Sequence, residues 1–300
     1  MDTRLKLKYK TMNRRSSIKL MGALGLAVLI PVRMFGTAIS VGCETCATAW
    51  KNLSRFNATR YQFRYLEPTP GLPKVFIYGD SISIGYTEYV RESLEGKADV
   101  MRLHTNGNSS AEFIKRMEVF RTALFQPFLI DGFNFSWDVI HFNVGLHDLK
   151  YLYNGKLNKE QGTQVSSLQE YEKNLNNIIK YLKDTYPKAK LVFATTTPVP
   201  DGEEGRVQGD AIRYNEVAMK VMKQHSDIII NDLYTFSIPV LEQFPEGPGN
   251  VHYKAEGSRL QGIQVAKVLG NVLDIEPKDC PSVELVSAKF KAYESKNKNE

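Results

Sequence analysis

The sequence predicts an α/β protein of three layers, with helices on both faces of a parallel, five-stranded sheet. Three observations carry this. Five short apolar runs rich in Val and Ile recur along the chain, and longer amphipathic stretches separate each from the next. That alternation is the pattern of βαβ units whose sheet is covered on both sides. The chain also has 300 residues with 42% hydrophobic and 11% aromatic content, enough for one sizeable core.

The elements follow in order. An irregular, aromatic-containing lead-in runs to Pro73, and "KVFIY" (74–78) opens the sheet. Its apolar residues are continuous, not alternating, as a strand buried on both faces requires. A helical pattern at 86–94 leads to "ADVMRL" (98–103), and one at 110–124 leads to "DVIHFN" (138–143). Helical stretches at 168–186 and 210–225 precede "KLVFATT" (190–196) and "DIIIN" (227–231) respectively, or follow the strand before them. A last helix spans 255–273, and the charged tail from Lys289 is expected to fray. No internal repeat is present. In such a sheet the carboxyl ends of the strands border the ligand crevice. Function is therefore sought after Tyr78, Leu103, Asn143, Thr196 and Asn231, and in the loop before the last helix.

The net charge of +6 does not mark a nucleic-acid surface, because its placement is terminal. Residues 1–38 hold eight of the 39 basic side chains and one of the 33 acidic ones, Asp2, which leaves residues 39–300 at −1. The first 38 residues read as an export signal: a basic start, an apolar run from Leu20 to Ile30, and Gly36-Thr37-Ala38 at a cleavage position. The run falls short of the roughly 20 residues a bilayer span needs, so no stable membrane span is expected in the mature protein. Arg14-Arg15 with Lys19 resembles a twin-arginine signal, although Ser17 stands where that motif carries an aromatic. A periplasmic or extracellular location follows. Lipid anchoring at Cys43 is the weaker alternative, since Ser40 occupies the position where a leucine is expected. In an oxidising compartment, Cys43 or Cys46 is expected to pair with Cys280, the only distant partner. The organisation expected is a signal (1–38), a lead-in (39–72), a catalytic-sized domain (73–275) and a C-terminal extension (276–300).

Four stretches at the crevice carry candidate chemistry. "YGDSISIG" (78–85) delivers Ser81 from a strand into a tight turn at a helix N-terminus, where developing negative charge is favoured. The plain alternative is that Asp80 or Ser81 caps the helix. "HTNGNSSAEF" (104–113) follows the second strand, and Gly107 permits a close backbone approach, though an ordinary Asn-Gly turn explains it as well. "DVIHFNVGLHDLK" (138–150) ends its strand at His147 and Asp148. "PEGPGNVHYKAEG" (245–257) sets His252 in a loop, with an ordinary pKa suited to general base work.

Together these stretches resemble the SGNH (GDSL-like) hydrolases over most of residues 73–273, a family with a flavodoxin-like parallel sheet. The resemblance implies that Ser81 of Gly79-Asp80-Ser81 is the nucleophile and His252 its base. It implies an oxyanion hole formed by the N–H groups of Ser81 and Gly107 with the side chain at position 147, and Asp80 and Asp148 as supporting residues. Two departures stand out. His147 replaces the family's Asn, and Gly249 occupies the place of the Asp that orients the catalytic histidine. A ring N–H can donate to an oxyanion as an amide does, and His147 is expected to add a pH dependence. Without a carboxylate at 249, a Ser-His dyad is expected, held by a backbone carbonyl of the 249–250 loop, with Glu246 as the other possible acceptor.

The reading is an exported serine esterase acting on short acyl groups, acetyl foremost, plausibly on carbohydrate, with the polar loop 195–210 shaping substrate choice. The chemistry needs no metal or organic cofactor, and the partner is a small-molecule or carbohydrate ester, with no nucleic acid. Two rivals stand beside it. One is a carbohydrate-binding protein that keeps the fold with impaired catalysis; the other is a metal-dependent phosphoesterase with Asp80, Asp148 and His252 as ligands.

Overall fold

A computed structural model of the chain describes residues 45–129 and 131–297. The expected export signal and Cys43 lie outside these residues. In chain order, a short helix α1 (Cys46–Ser54) is followed by strand β1 (Lys74–Tyr78), helix α2 (Ser81–Ser93), β2 (Asp99–Arg102), α3 (Phe113–Leu124) and β3 (Val139–Phe142). Three short strands, β4 (Tyr151–Tyr153), β5 (Lys156–Leu157) and β6 (Thr163–Gln164), lead into α4 (Leu168–Thr185) and β7 (Lys190–Ala194). The chain then forms α5 (Asp210–Met222), β8 (Ile228–Asn231), α6 (Leu233–Gln243), α7 (Ala255–Leu273) and α8 (Val283–Asn297).

The five predicted strands form one parallel sheet in the order β2-β1-β3-β7-β8. All five residues of β1 and all four of β3 are buried, which is why their sequences show no alternation. Register places Phe76 between Met101 and Ile140, and Phe142 between Tyr78 and Phe193. Helix α2 packs on α7, and α7 on α6, as one helical layer. Helices α1, α3, α4 and α5 make a second series of neighbours. Burial of a large apolar side chain contributes about 1.5–3 kcal/mol, and Phe76, Phe120 and Trp137, fully buried with ring centroids 4.9 to 6.3 Å apart, anchor the core at β1 and α3.

Three parts differ from the sequence reading. Helix α2 begins at Ser81, where the Asp80 carboxylate accepts the Ile82 N–H at 3.0 Å, and not at Tyr86. Among the described residues the charged tail is helical: α8 runs to Asn297, with Phe290 and Tyr293 packed against Tyr61 at 5.3 and 5.4 Å. The lead-in and the C-terminal extension are therefore joined, but by aromatic contact and not by a Cys46–Cys280 disulfide. Cys46 is a free thiol buried near the Leu124 carbonyl, and Cys280 is a free thiol near the Tyr89 carbonyl. Among the described residues no helix is long and apolar enough to cross a membrane.

Candidate active site

The candidate residues collect at the carboxyl ends of the strands. Ser81 is the first residue of α2, directly after β1 and the Gly79-Asp80 turn. Its N–H opens the helix, where no intrahelical acceptor exists. From the loop before α7, His252 places Nε2 2.8 Å from Ser81 Oγ.

What orients His252 is Asn250, which the sequence reading did not assign. Asn250 Oδ1 accepts the His252 backbone N–H at 3.0 Å, and because that N–H can only donate, the facing atom is the amide oxygen. The same oxygen lies 2.7 Å from His252 Nδ1. An oxygen that can only accept requires Nδ1 to carry the proton, so Nε2 keeps its lone pair and Ser81 donates its hydroxyl to it. The three side chains form one hydrogen-bonded series, Ser81 to His252 to Asn250, whose third member is neutral. It corrects both alternatives raised from sequence, a backbone carbonyl and Glu246. Burial first, and the positive Arg206 second, lower the His252 pKa below its ordinary value, so the ring is neutral at neutral pH.

The absence of an Asp at 249 has a steric cause. Gly249 has φ +65°, and a Cβ there would lie 2.5 Å from the Gly202 carbonyl oxygen. The 198–209 loop passes where a side chain would need to be, so no carboxylate can be presented from this position.

His147 sits in a helical turn in which the Asp148 and Leu149 N–H groups donate to the Gly145 carbonyl at 2.8 and 3.0 Å. That turn brings Lys150 Nζ to 3.2 Å from His147 Nδ1. Burial first, then Lys150 and Arg206, push the His147 pKa down to about 3. The ring is neutral throughout the neutral range, which corrects the expectation that it adds a pH dependence there. Gly107 is a second correction. Its N–H donates to the Gly79 carbonyl at 2.9 Å, so it is engaged in bracing the Gly79-Asp80 turn and does not stand free for an oxyanion. A Cβ at Gly107 would lie 2.8 Å from that same carbonyl oxygen, which explains the glycine.

Asp80 and Asp148 are buried and do not touch substrate space. Asp80 caps α2, and burial raises its carboxyl to about 6. Asp148 accepts from the Ser110 N–H at 2.9 Å, from Ser110 Oγ at 2.5 Å and from Ser166 Oγ at 2.8 Å. Asp148 therefore faces Ser110 and Ser166, not His252, and among the described residues no cluster of His, Cys, Asp or Glu is arranged to hold a metal. This corrects the ligand set of the phosphoesterase alternative. Arg206, also unassigned from sequence, is buried, donates to the Leu146 carbonyl at 2.8 Å and pairs with Glu203 at 2.7 Å. Nothing in a polar loop's composition marks one arginine as its anchor.

No family model matches the chain, and no curated protein matches it. Solved structures do. A lipase/acylhydrolase from Enterococcus faecalis is 17% identical with a TM-score of 0.51, over 69% of this chain and 100% of that one. A candidate GDSL-like lipase from Parabacteroides merdae is 17% identical with a TM-score of 0.50, over 68% of this chain and 99% of that one. At this identity the likeness is one of fold: the chain has the three-layer α/β/α fold of the SGNH, GDSL-like hydrolases.

Proposed function

We propose that this protein is an exported serine esterase that removes short acyl groups, acetyl foremost, from carbohydrate. The observation that carries the reading is the hydrogen-bonded series from Ser81 Oγ through His252 to Asn250 Oδ1, with the lone pair of Nε2 directed at the serine. In the reaction, Ser81 Oγ bonds to the ester carbonyl carbon while its proton passes to His252 Nε2. The Ser81 N–H and the His147 ring N–H hold the oxyanion. Collapse of the tetrahedral intermediate breaks the bond to the alcohol, which leaves with the proton from Nε2. Water, activated by the same nitrogen, then releases the acid and restores the serine.

Export rests on the leader of residues 1–38, and the carbohydrate class on the family resemblance together with that compartment. A cleft of about 870 Å³ beside the site is lined by Val199, Asp201, Tyr234, Glu242, Glu246 and Lys254. It combines residues of the 195–210 loop with the loop leading to Asn250. Its lining is mainly apolar, with Pro198, Ile212, Ile238 and Leu241 beside the Tyr234 ring, and Asp201, Glu242, Glu246 and Lys254 supply the hydrogen-bonding groups for the alcohol part of an ester.

A panel of acetylated sugars, p-nitrophenyl acyl esters and phosphodiesters, run with wild type and Ser81→Ala, tests this. Acyl ester hydrolysis and fluorophosphonate labelling are expected in wild type and absent in the variant. Unlabelled wild type with no ester turnover removes the esterase reading in favour of a binding protein on the same fold.

A further inference from the structure

Lysine 150 has no evident use in the mechanism above, yet it is half-buried at the site. Among the described residues no carboxylate lies within ion-pair distance of its Nζ, and its hydrogen-bond partner is His147 Nδ1 at 3.2 Å. The nearest charges acting on it, Arg206, Glu112 and Asp148, are already engaged: Arg206 with Glu203, Glu112 with Arg116, and Asp148 with Ser110 and Ser166. An ammonium group has three donors and no lone pair. Its approach to Nδ1 therefore requires that nitrogen to be the acceptor, and the single ring proton resides on Nε2.

We propose that Lys150 is a positioning residue for the oxyanion donor: it holds neutral His147 in the Nε2–H tautomer and polarises that N–H towards imidazolium strength. The proposal rests on the reading of His147 as an oxyanion donor. A neutral imidazole ordinarily donates less strongly than a charged group, and hydrogen bonds to ionised partners are roughly twice as strong. A cation bound at Nδ1 withdraws electron density through the ring, so the far N–H gains donor strength while the ring itself gains no proton. The His-for-Asn exchange thus comes with a charge that an amide in the same place would not have used. The turn at 145–149 is what makes the pairing possible, because it brings residues 147 and 150 to the same side.

The test combines spectroscopy with a mutant cycle. In ¹⁵N-labelled protein, long-range ¹H–¹⁵N correlation is expected to show His147 protonated at Nε2 only, with Nδ1 shifted as a hydrogen-bonded acceptor. Lys150→Met is expected to move the Nδ1 resonance, lower kcat about tenfold and leave KM nearly unchanged, since a single oxyanion donor is worth about 10²–10³ in kcat and this change weakens one without removing it. Lys150→Arg, which keeps the cation, is expected to keep the Nε2–H tautomer and most of kcat. In a His147→Asn background the loss from Lys150→Met is expected to shrink to about twofold, because an amide needs no tautomer control. A proton on Nδ1 in wild type, an unmoved Nδ1 resonance in Lys150→Met, or equal losses in both backgrounds would overturn the proposal. If the spectra behave as stated but Ser81-dependent ester hydrolysis is absent, the esterase reading fails, and with it the oxyanion role, while the tautomer assignment stands.

Discussion

Asn250 gives His252 Nδ1 a neutral acceptor, and the consequence lies in proton affinity. In the proposed reaction a carboxylate beside Nδ1 would stabilise the imidazolium formed on attack by Ser81; the Asn250 amide oxygen supplies direction without charge. Asn250→Asp is therefore expected to raise the His252 pKa and move the acid limb of kcat/KM to higher pH, with kcat rising up to about tenfold. A limb that stays in place would show that Asn250 does not act through His252. In wild type the His252 pKa lies below the ordinary value, so activity is expected to fall as pH drops through a point below about 6.5. His147→Asn should leave that limb unmoved, because His147 takes up no proton in this range. A shift of the limb in that variant would return to His147 the pH dependence its sequence first suggested.

Two loops meet at Gly249 and Gly202, and their contact decides which position can serve the histidine. Gly249→Ala forces a Cβ against the Gly202 carbonyl and a side chain into a positive φ, at a cost of about 1–3 kcal/mol. The expected result is a lower Tm together with reduced kcat, measured on the same preparation; an unchanged Tm would mean that the 198–209 loop yields freely. This is also where sequence reading reached its limit. The five sheet strands and helix α7 are legible because continuous apolar runs and a 19-residue amphipathic pattern leave little choice. The meeting of Ser81 with His252 is legible because a strand end and the loop before α7 both face the crevice. Asn250 is not, since its role depends on a loop conformation that only the packing of 202 against 249 imposes. Helix α6 was missed because Pro239 sits inside it, where a proline normally argues against helix. The docking of α8 was missed because its aromatic partner, Tyr61, lies more than 200 residues away in sequence.

Across the whole molecule, histidines whose pKa burial lowers shape the response to acid. His104 and His141 are pushed down to about 4 and His147 to about 3, in each case by burial first. An unfolded histidine titrates near 6.5, so below about pH 6.5 the unfolded chain binds protons that the folded one refuses, and stability falls as pH falls through this window. Between pH 6.5 and pH 4.5 each ring contributes at most about 2.7 kcal/mol to that loss. Asp80, raised to about 6, and Asp148, also raised, act in the opposite sense, since the folded state holds their protons more tightly. His252, also lowered, acts with these rings, so four rings stand against two carboxyls; Tm is expected to drop from pH 7 to pH 4.5, and a flat profile would contradict the burial of these histidines in solution. The Asp148 carboxylate carries one more consequence at this scale. It joins the segment after β2, through Ser110, and the segment before α4, through Ser166, to the turn that presents His147. Proteins open locally in cooperative units, and segments tied to one buried group are expected to open together. The backbone amides of these three segments should therefore exchange with solvent deuterium as one cooperative unit, so that the face of the molecule bearing the crevice breathes as a whole.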